Sequence, residues 1–136
     1  MKNGENKTHQ EKVEDDLKIY LRSEEFWSCN AFGLTAGTNT PCGGDASHGG
    51  KTFFKLKDLA GTYWDIYING KEVAESPSEL TIMLYGDSEA ETFADSLIFA
   101  GRTLKKQIRE NHWRDLCSKV FALEQELKHQ KAGCEE

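Results

Sequence analysis

No apolar run in the 136-residue sequence approaches the roughly 18 residues that a membrane-spanning helix requires. Residues 1–12 are polar and charged and lack the apolar stretch of a secretory signal, so a cytoplasmic location and no membrane partner are expected. There is no Cys-x-x-Cys pair. Cys29, Cys42, Cys117 and Cys134 are scattered, whereas structural zinc ligands come at short spacings. Free thiols in a reducing compartment are therefore expected, with no metal and no cofactor. No internal repeat and no low-complexity linker divides the chain.

Positive charge is scarce in the middle of the chain, where residues 61–100 carry only Lys71 against eight acids. The formal net charge is −6, which argues against a binder of long nucleic acid. The C-terminal part differs: residues 101–136 hold eight Lys and Arg against six acids. An acidic body with one basic stripe suits a compact anionic ligand better than a long polyanion.

With 38% hydrophobic residues, a chain of this size can bury a core as one domain. Residues 1–10 are expected to be disordered, residues 11–131 to form a single α+β domain and residues 132–136 a tail. Val13, Leu17, Tyr20 and Leu21 recur at helical spacing and predict a short amphipathic helix over about 11–23, although Ile19–Arg22 could instead extend. The aromatic and apolar stretch Phe26–Leu34 predicts a first strand. Thr52–Leu56, Thr62–Asn69 and Leu80–Tyr85 read as further strands. Asn69-Gly70 is a hairpin turn returning through Lys71–Ala74.

After Gly86-Asp87, Ser88 with Glu91 reads as a capping box opening a long helix. Phe93, Leu97, Ala100, Leu104 and Ile108 form one apolar stripe, and Trp113, Leu116, Val120, Leu123 and Leu127 a second. Unbroken, residues 88–130 would span about 64 Å. That is too long for a sheet of short strands to cover. Either the helix breaks near Asn111-His112, or its part after residue 111 is an oligomerisation arm, which makes a homo-oligomer the expected state. The expected fold is α+β: an antiparallel β-meander of about four strands, a short N-terminal helix and a long C-terminal helix.

The segment between residues 38 and 52 has no apolar periodicity and exceeds the two to five residues a plain hairpin needs. Gly43-Gly44 and Gly49-Gly50 flank Asp45-Ala46-Ser47-His48. Gly50-Lys51-Thr52 matches the end of a phosphate-binding P-loop, but residue 45 is Asp where that motif needs Gly. A strand rather than a helix also follows. Successive glycines can nonetheless turn backbone N–H groups onto an anion. Asn39, Thr40, Gly43, Gly44, Asp45, His48, Gly49, Gly50, Lys51 and Thr52 are the candidate ligand-binding residues. In this reading the loop amides and Lys51 meet phosphate, while Asp45 and His48 read ribose or base. Asp45 could equally make an Asx-turn and His48 merely brace the loop. Cys42, Asp45 and His48 contain a nucleophile, an acid and a base, but one loop holds such a triad poorly. No catalytic residue is assigned.

Arg102, Lys105, Lys106 and Arg109 share one side of the helix, and no acid lies between residues 96 and 109. Arg102, Lys106 and Arg109 complete the candidate site as phosphate partners, against the alternative of a solvated helix face.

Asn30-Ala31-Phe32-Gly33-Leu34, followed by Thr38-Asn39-Thr40-Pro41-x-Gly43-Gly44-Asp45-x-x-His48-Gly49-Gly50-x-Thr52, resembles a motif of small phage-encoded proteins of unknown function. Gly86-Asp87-x-Glu89-x-Glu91 extends the resemblance. Small phage proteins of this size often counter host defence, and some resemble sponges that sequester cyclic or ADP-ribose-derived nucleotide signals without cleaving them. The resemblance implies a non-enzymatic, oligomeric binder of a small anionic nucleotide in the cytoplasm of a bacterial host. Two alternatives stay open: a phosphodiesterase or hydrolase using His48 and Asp45, and an acidic inhibitor directed at a host protein.

Overall fold

A computed structural model describes the backbone of residues 7–14 and 17–134 and the side chains of residues 19–129. It is an α+β protein, with seven strands and one long C-terminal helix among the described residues. The strands are β1 (Lys7–Glu14), β2 (Leu17–Trp27), β3 (Ala31–Thr38), β4 (Lys51–Ala60), β5 (Asp65–Ile68), β6 (Lys71–Glu75) and β7 (Glu79–Tyr85). The helix α1 is Asp87–Cys134. A five-stranded antiparallel sheet runs in the order β1-β2-β3-β4-β7, and β5-β6 forms a separate hairpin.

The helix expected over 11–23 is not formed. Those of its residues that are described lie in β1 and β2, and residues 7–10, expected to be disordered, also belong to β1. The physical reason is visible in β2. Ile19 and Leu21 are wholly buried, while Tyr20 between them is exposed, an alternation of period two. Tyr20 and Leu21 supply helical spacing only when they are counted as one face. The first strand expected at Phe26–Leu34 is instead the end of β2, the short turn Ser28-Cys29-Asn30 and the start of β3, with Trp27 paired to Ala31. In that turn the Ser28 N–H donates to Asn30 O at 2.8 Å.

Register places Leu21 and Gly37 side by side, because Arg22 pairs with Ala36 and Ser23 with Thr35. A Cβ at Gly37 would come within 2.9 Å of Ile19 Cγ2 and Leu21 Cδ2, so glycine there lets two buried side chains spread over the neighbouring strand. On the opposite face, Phe54 of β4 meets Phe93 edge-on at 5.5 Å between ring centroids. The same face carries Phe32, which meets Trp64 at 5.3 Å. The Trp64 indole N–H donates to Pro77 O at 2.6 Å and ties the segment before β5 to the segment before β7.

The helix is continuous through Asn111-His112 and runs on to Cys134, so residues 132–134 are helical rather than a tail. The chain divides into two compact units between Phe93 and Ala94. The first holds the sheet and the opening turns of α1. The second is the remainder of the helix. No helix is long and apolar enough to cross a membrane among the described residues.

Candidate functional site: a glycine loop closed on a helix start

The pairing of β4 with β7 determines what the glycine loop meets. Lys51 lies opposite Tyr85, so the residues just before β4 must face those just after β7. Gly86 N–H donates to Gly50 O at 2.8 Å, and one residue later the helix begins. The loop is also closed at its base: Asn39 N–H donates to Lys51 O at 3.2 Å, and Lys51 N–H returns a bond to Asn39 Oδ1 at 2.7 Å. The hydroxyls of Thr38 and Thr52 lie 2.9 Å apart across the same rung. The Thr40-Pro41 peptide is cis.

The loop amides do converge on an anion, and that anion is the carboxylate of Asp87. Gly43 N–H donates to Asp87 Oδ2 at 2.7 Å and Gly50 N–H to Oδ1 at 2.7 Å. Cys42 N–H lies 3.0 Å from both oxygens. These N–H groups, that of Cys42 foremost and then those of Gly50 and Gly43, hold the Asp87 carboxyl below the ordinary carboxylate range against the opposing effect of desolvation. A second carboxylate, Glu89, accepts from Ala46 N–H at 3.1 Å. The concave set of amides read from the glycines is therefore present, with its occupant supplied by the chain itself.

The loop answers in kind at the helix terminus. Ala90 N–H donates to Gly86 O at 3.3 Å, which makes Gly86 the capping residue and Asp87 the first helical one. Ser88 lies inside the helix and is not its cap. Glycine has no side chain to satisfy the first orphan amides, and the loop supplies what is missing. Gly44 O accepts from Asp87 N–H at 2.8 Å, and Asp45 Oδ1 accepts from Ser88 N–H at 2.7 Å. Asp45 is thus a helix cap contributed from 43 residues away in sequence. Gly86 itself has φ +141°, and a Cβ there would collide with the Glu89 carboxylate. Gly49, at φ +98°, brings its backbone against Gly44 O where a side chain would clash.

Of the residues singled out in the sequence, Gly43, Gly44, Asp45 and Gly50 bond to Asp87 or Ser88, Gly49 lies beside them, and Asn39, Thr40, His48, Lys51 and Thr52 belong to the rest of the loop and its strand ends. Their roles differ. Gly43, Gly44 and Gly50 bind the helix start through their backbones, and Asn39 and Asp45 do so or brace the loop through their side chains. His48 is exposed, and its N–H donates to Asp45 O at 3.2 Å. The Cys42 thiol is directed at Asn39 O at 3.1 Å. Lys51 lies with its ammonium 5.7 Å from the centroid of the Tyr85 ring, on adjacent strands at the base of the loop. Arg102, Lys106 and Arg109 belong to the second unit, where Lys106 finds a partner in Glu110 at 3.9 Å.

Asp87, Glu89 and Tyr85 are not among the candidate binding residues, although Asp87 and Glu89 belong to the motif at the helix start. The sequence does hold a signal for the first two. A glycine-rich loop entering one strand, and carboxylates directly leaving a strand that can pair with it, put amides and acceptors at the same end of the sheet.

No family model matches this chain, and neither a curated protein nor a solved structure matches it.

Proposed function

We propose that the protein is a non-enzymatic binder of a small anionic ligand of the nucleotide class, and that the base of the glycine loop is where it binds. The observation that carries this reading is the Lys51–Tyr85 pair. The Lys51 ammonium lies over the Tyr85 ring, 5.7 Å from its centroid, and Tyr85 is 38% exposed, so a cation suited to phosphate and an aromatic ring suited to a base stand together. Both side chains stand on paired strands, and the loop between them and the helix is held by its bonds to Asp87, Ser88 and Glu89. A site so fixed loses little freedom on binding.

The geometry shifts the chemistry within the loop. The amides of Cys42, Gly43 and Gly50 already serve Asp87, so in this proposal phosphate is met by Lys51 rather than by the loop backbone. Asp45 serves as a helix cap, which disfavours the alternative of a hydrolase using His48 with Asp45. The resemblance to small phage-encoded proteins suggests an immune signalling nucleotide as the occupant and sequestration as the activity.

Titration calorimetry against cyclic di- and trinucleotides and cyclic ADP-ribose isomers tests the reading. Lys51→Ala and Tyr85→Ala should each weaken binding at least about tenfold, or 1.4 kcal/mol. The ligand should be recovered intact after the complex is denatured. Absence of heat with every compound, or full affinity in both variants, overturns the proposal.

A further inference from the structure

The second unit carries a feature that ligand binding at the loop leaves unused. Along α1 the two apolar stripes do not share a face. Leu104 and Val120 are 16 residues apart, which on a helix of 3.6 residues per turn turns the second stripe by about 160° from the first. The second stripe follows a strict alternation of three and four residues through Trp113, Leu116, Val120, Leu123 and Leu127. That alternation is the a and d pattern of a coiled coil. All five side chains are exposed: Trp113 at 68%, Leu123 at 58% and Leu127 at 60%, with Leu116 and Val120 between 40% and 50%. A continuous stripe of this size, left open to water, is an association surface.

We infer that residues 113–134 of α1 pair with the same segment of a second copy as a parallel, in-register, two-stranded coiled coil, with Trp113, Val120 and Leu127 at a positions and Leu116 and Leu123 at d. Two observations select this occupant and this direction. A β-branched residue at a with Leu at both d positions favours two strands in parallel. The charges beside the stripe then match. In a parallel pair each g residue faces the e residue five positions on in the other helix, which sets Lys119 against Glu124 of the partner subunit. The sequence repeats the spacing with opposite sign at Glu126 and Lys131. An antiparallel pair that aligns the same a and d layers keeps Lys119 near Glu126 but sets Glu124 against Cys117. It therefore satisfies fewer charges. Within one copy Lys119 pairs with Asp115 at 3.1 Å, an exposed contact that leaves it accessible to a second carboxylate. A shallow, largely apolar concavity lined by Ile108, Arg109, His112, Trp113 and Leu116 marks the N-terminal end of the stripe.

The pairing is tested on the full chain by sedimentation equilibrium and by cross-linking. The unaltered chain should sediment as a dimer at micromolar concentration, and a monomer there overturns the inference. Leu116→Glu combined with Leu123→Glu should give a monomer whose sheet signal in circular dichroism is unchanged, because neither residue belongs to the sheet. Persistence of the dimer in that variant overturns the stripe as its interface. Direction is read in a background with all four cysteines replaced by serine. Val120→Cys should form a disulfide-linked dimer under mild oxidation, because equivalent a positions face each other only in a parallel, in-register pair. Ser118→Cys, at an outward position, should not. Failure of Val120→Cys to cross-link overturns the parallel register. Because Lys51 and Tyr85 are untouched throughout, these results stand apart from any outcome of nucleotide calorimetry.

Discussion

The backbone N–H of Gly50 donates to Asp87 Oδ1 at 2.7 Å, joining residues 37 positions apart. Together with the bonds from Cys42 and Gly43 it makes one carboxylate the centre of the loop, and with the return bond from Ser88 to Asp45 it makes loop and helix start mutually dependent. A glycine loop of this type, read alone, suggests an open receptor for an anion. Here it is a closed clasp.

Removing the charge at that centre should loosen both partners. Asp87→Asn keeps the size of the side chain but exchanges an acceptor of three N–H groups for an amide with one oxygen. The expected outcome is faster hydrogen exchange at Gly43 and Gly50, with the β2–β3 amides unchanged. Unchanged protection at Gly43 and Gly50 would show that the loop holds its shape without Asp87.

The pH dependence follows in sign from the lowered Asp87 pKa. A carboxyl depressed in the folded state stabilises above its unfolded pKa, and that contribution fades as pH falls through the folded value. The difference in urea midpoint between the unaltered protein and Asp87→Asn should therefore stay constant from pH 7 to 5. It should shrink only below about pH 4, where ordinary carboxylates protonate. A difference that vanishes near neutral pH would exclude this origin.

Loss of the cap is separable from loss of the loop centre. Asp45→Ala leaves the Ser88 N–H without its acceptor and should cost about 1 kcal/mol in equilibrium unfolding. Asp45→Asn, which retains an oxygen, should restore most of it.

Gly86→Ala should be more damaging than its size suggests. It places a Cβ at φ +141° and against Glu89, so a loss of about 1–3 kcal/mol is expected, with the Ala46 bond to Glu89 broken. Trp64→Phe provides a contrasting case. It keeps the ring contact with Phe32 but removes the indole bond to Pro77, for a loss of about 1 kcal/mol confined to the β5–β6 hairpin.

Much of the sheet could be read because its signals are local. Asn69-Gly70 announced a hairpin, and both residues adopt positive φ, at 54° and 78°. The stretch Leu80–Tyr85 marked β7, and the glycines marked the loop between β3 and β4. What failed was local evidence of the wrong period. In β2, Tyr20 and Leu21 mimic a helical face, and only pairing with β3 decides that Ile19 and Leu21 point one way and Tyr20 the other. The loop was legible as a place where amides gather and not as an arrangement. Glycines with an acid between them indicate amides gathered around something. Which acceptor they gather around depends on the register of β4 with β7, and that is a tertiary fact.

The clasp also has an asymmetry in where its specification resides. To Asp87 and Glu89, Cys42 and Ala46 contribute only their backbone N–H groups, so the side chain at position 42 can change without altering those bonds. Asp87 contributes its side chain, and Gly86 contributes the absence of one. A saturation library scored for folding should accordingly be permissive at position 42 and intolerant at 86 and 87. Position 46, at φ 49°, should prefer Gly and Asn. Within the clasp, the position that gives only a backbone N–H at negative φ would then be the freest to drift, and Gly86 and Asp87 at the head of the helix would carry the constraint together with Gly49 and Asp45.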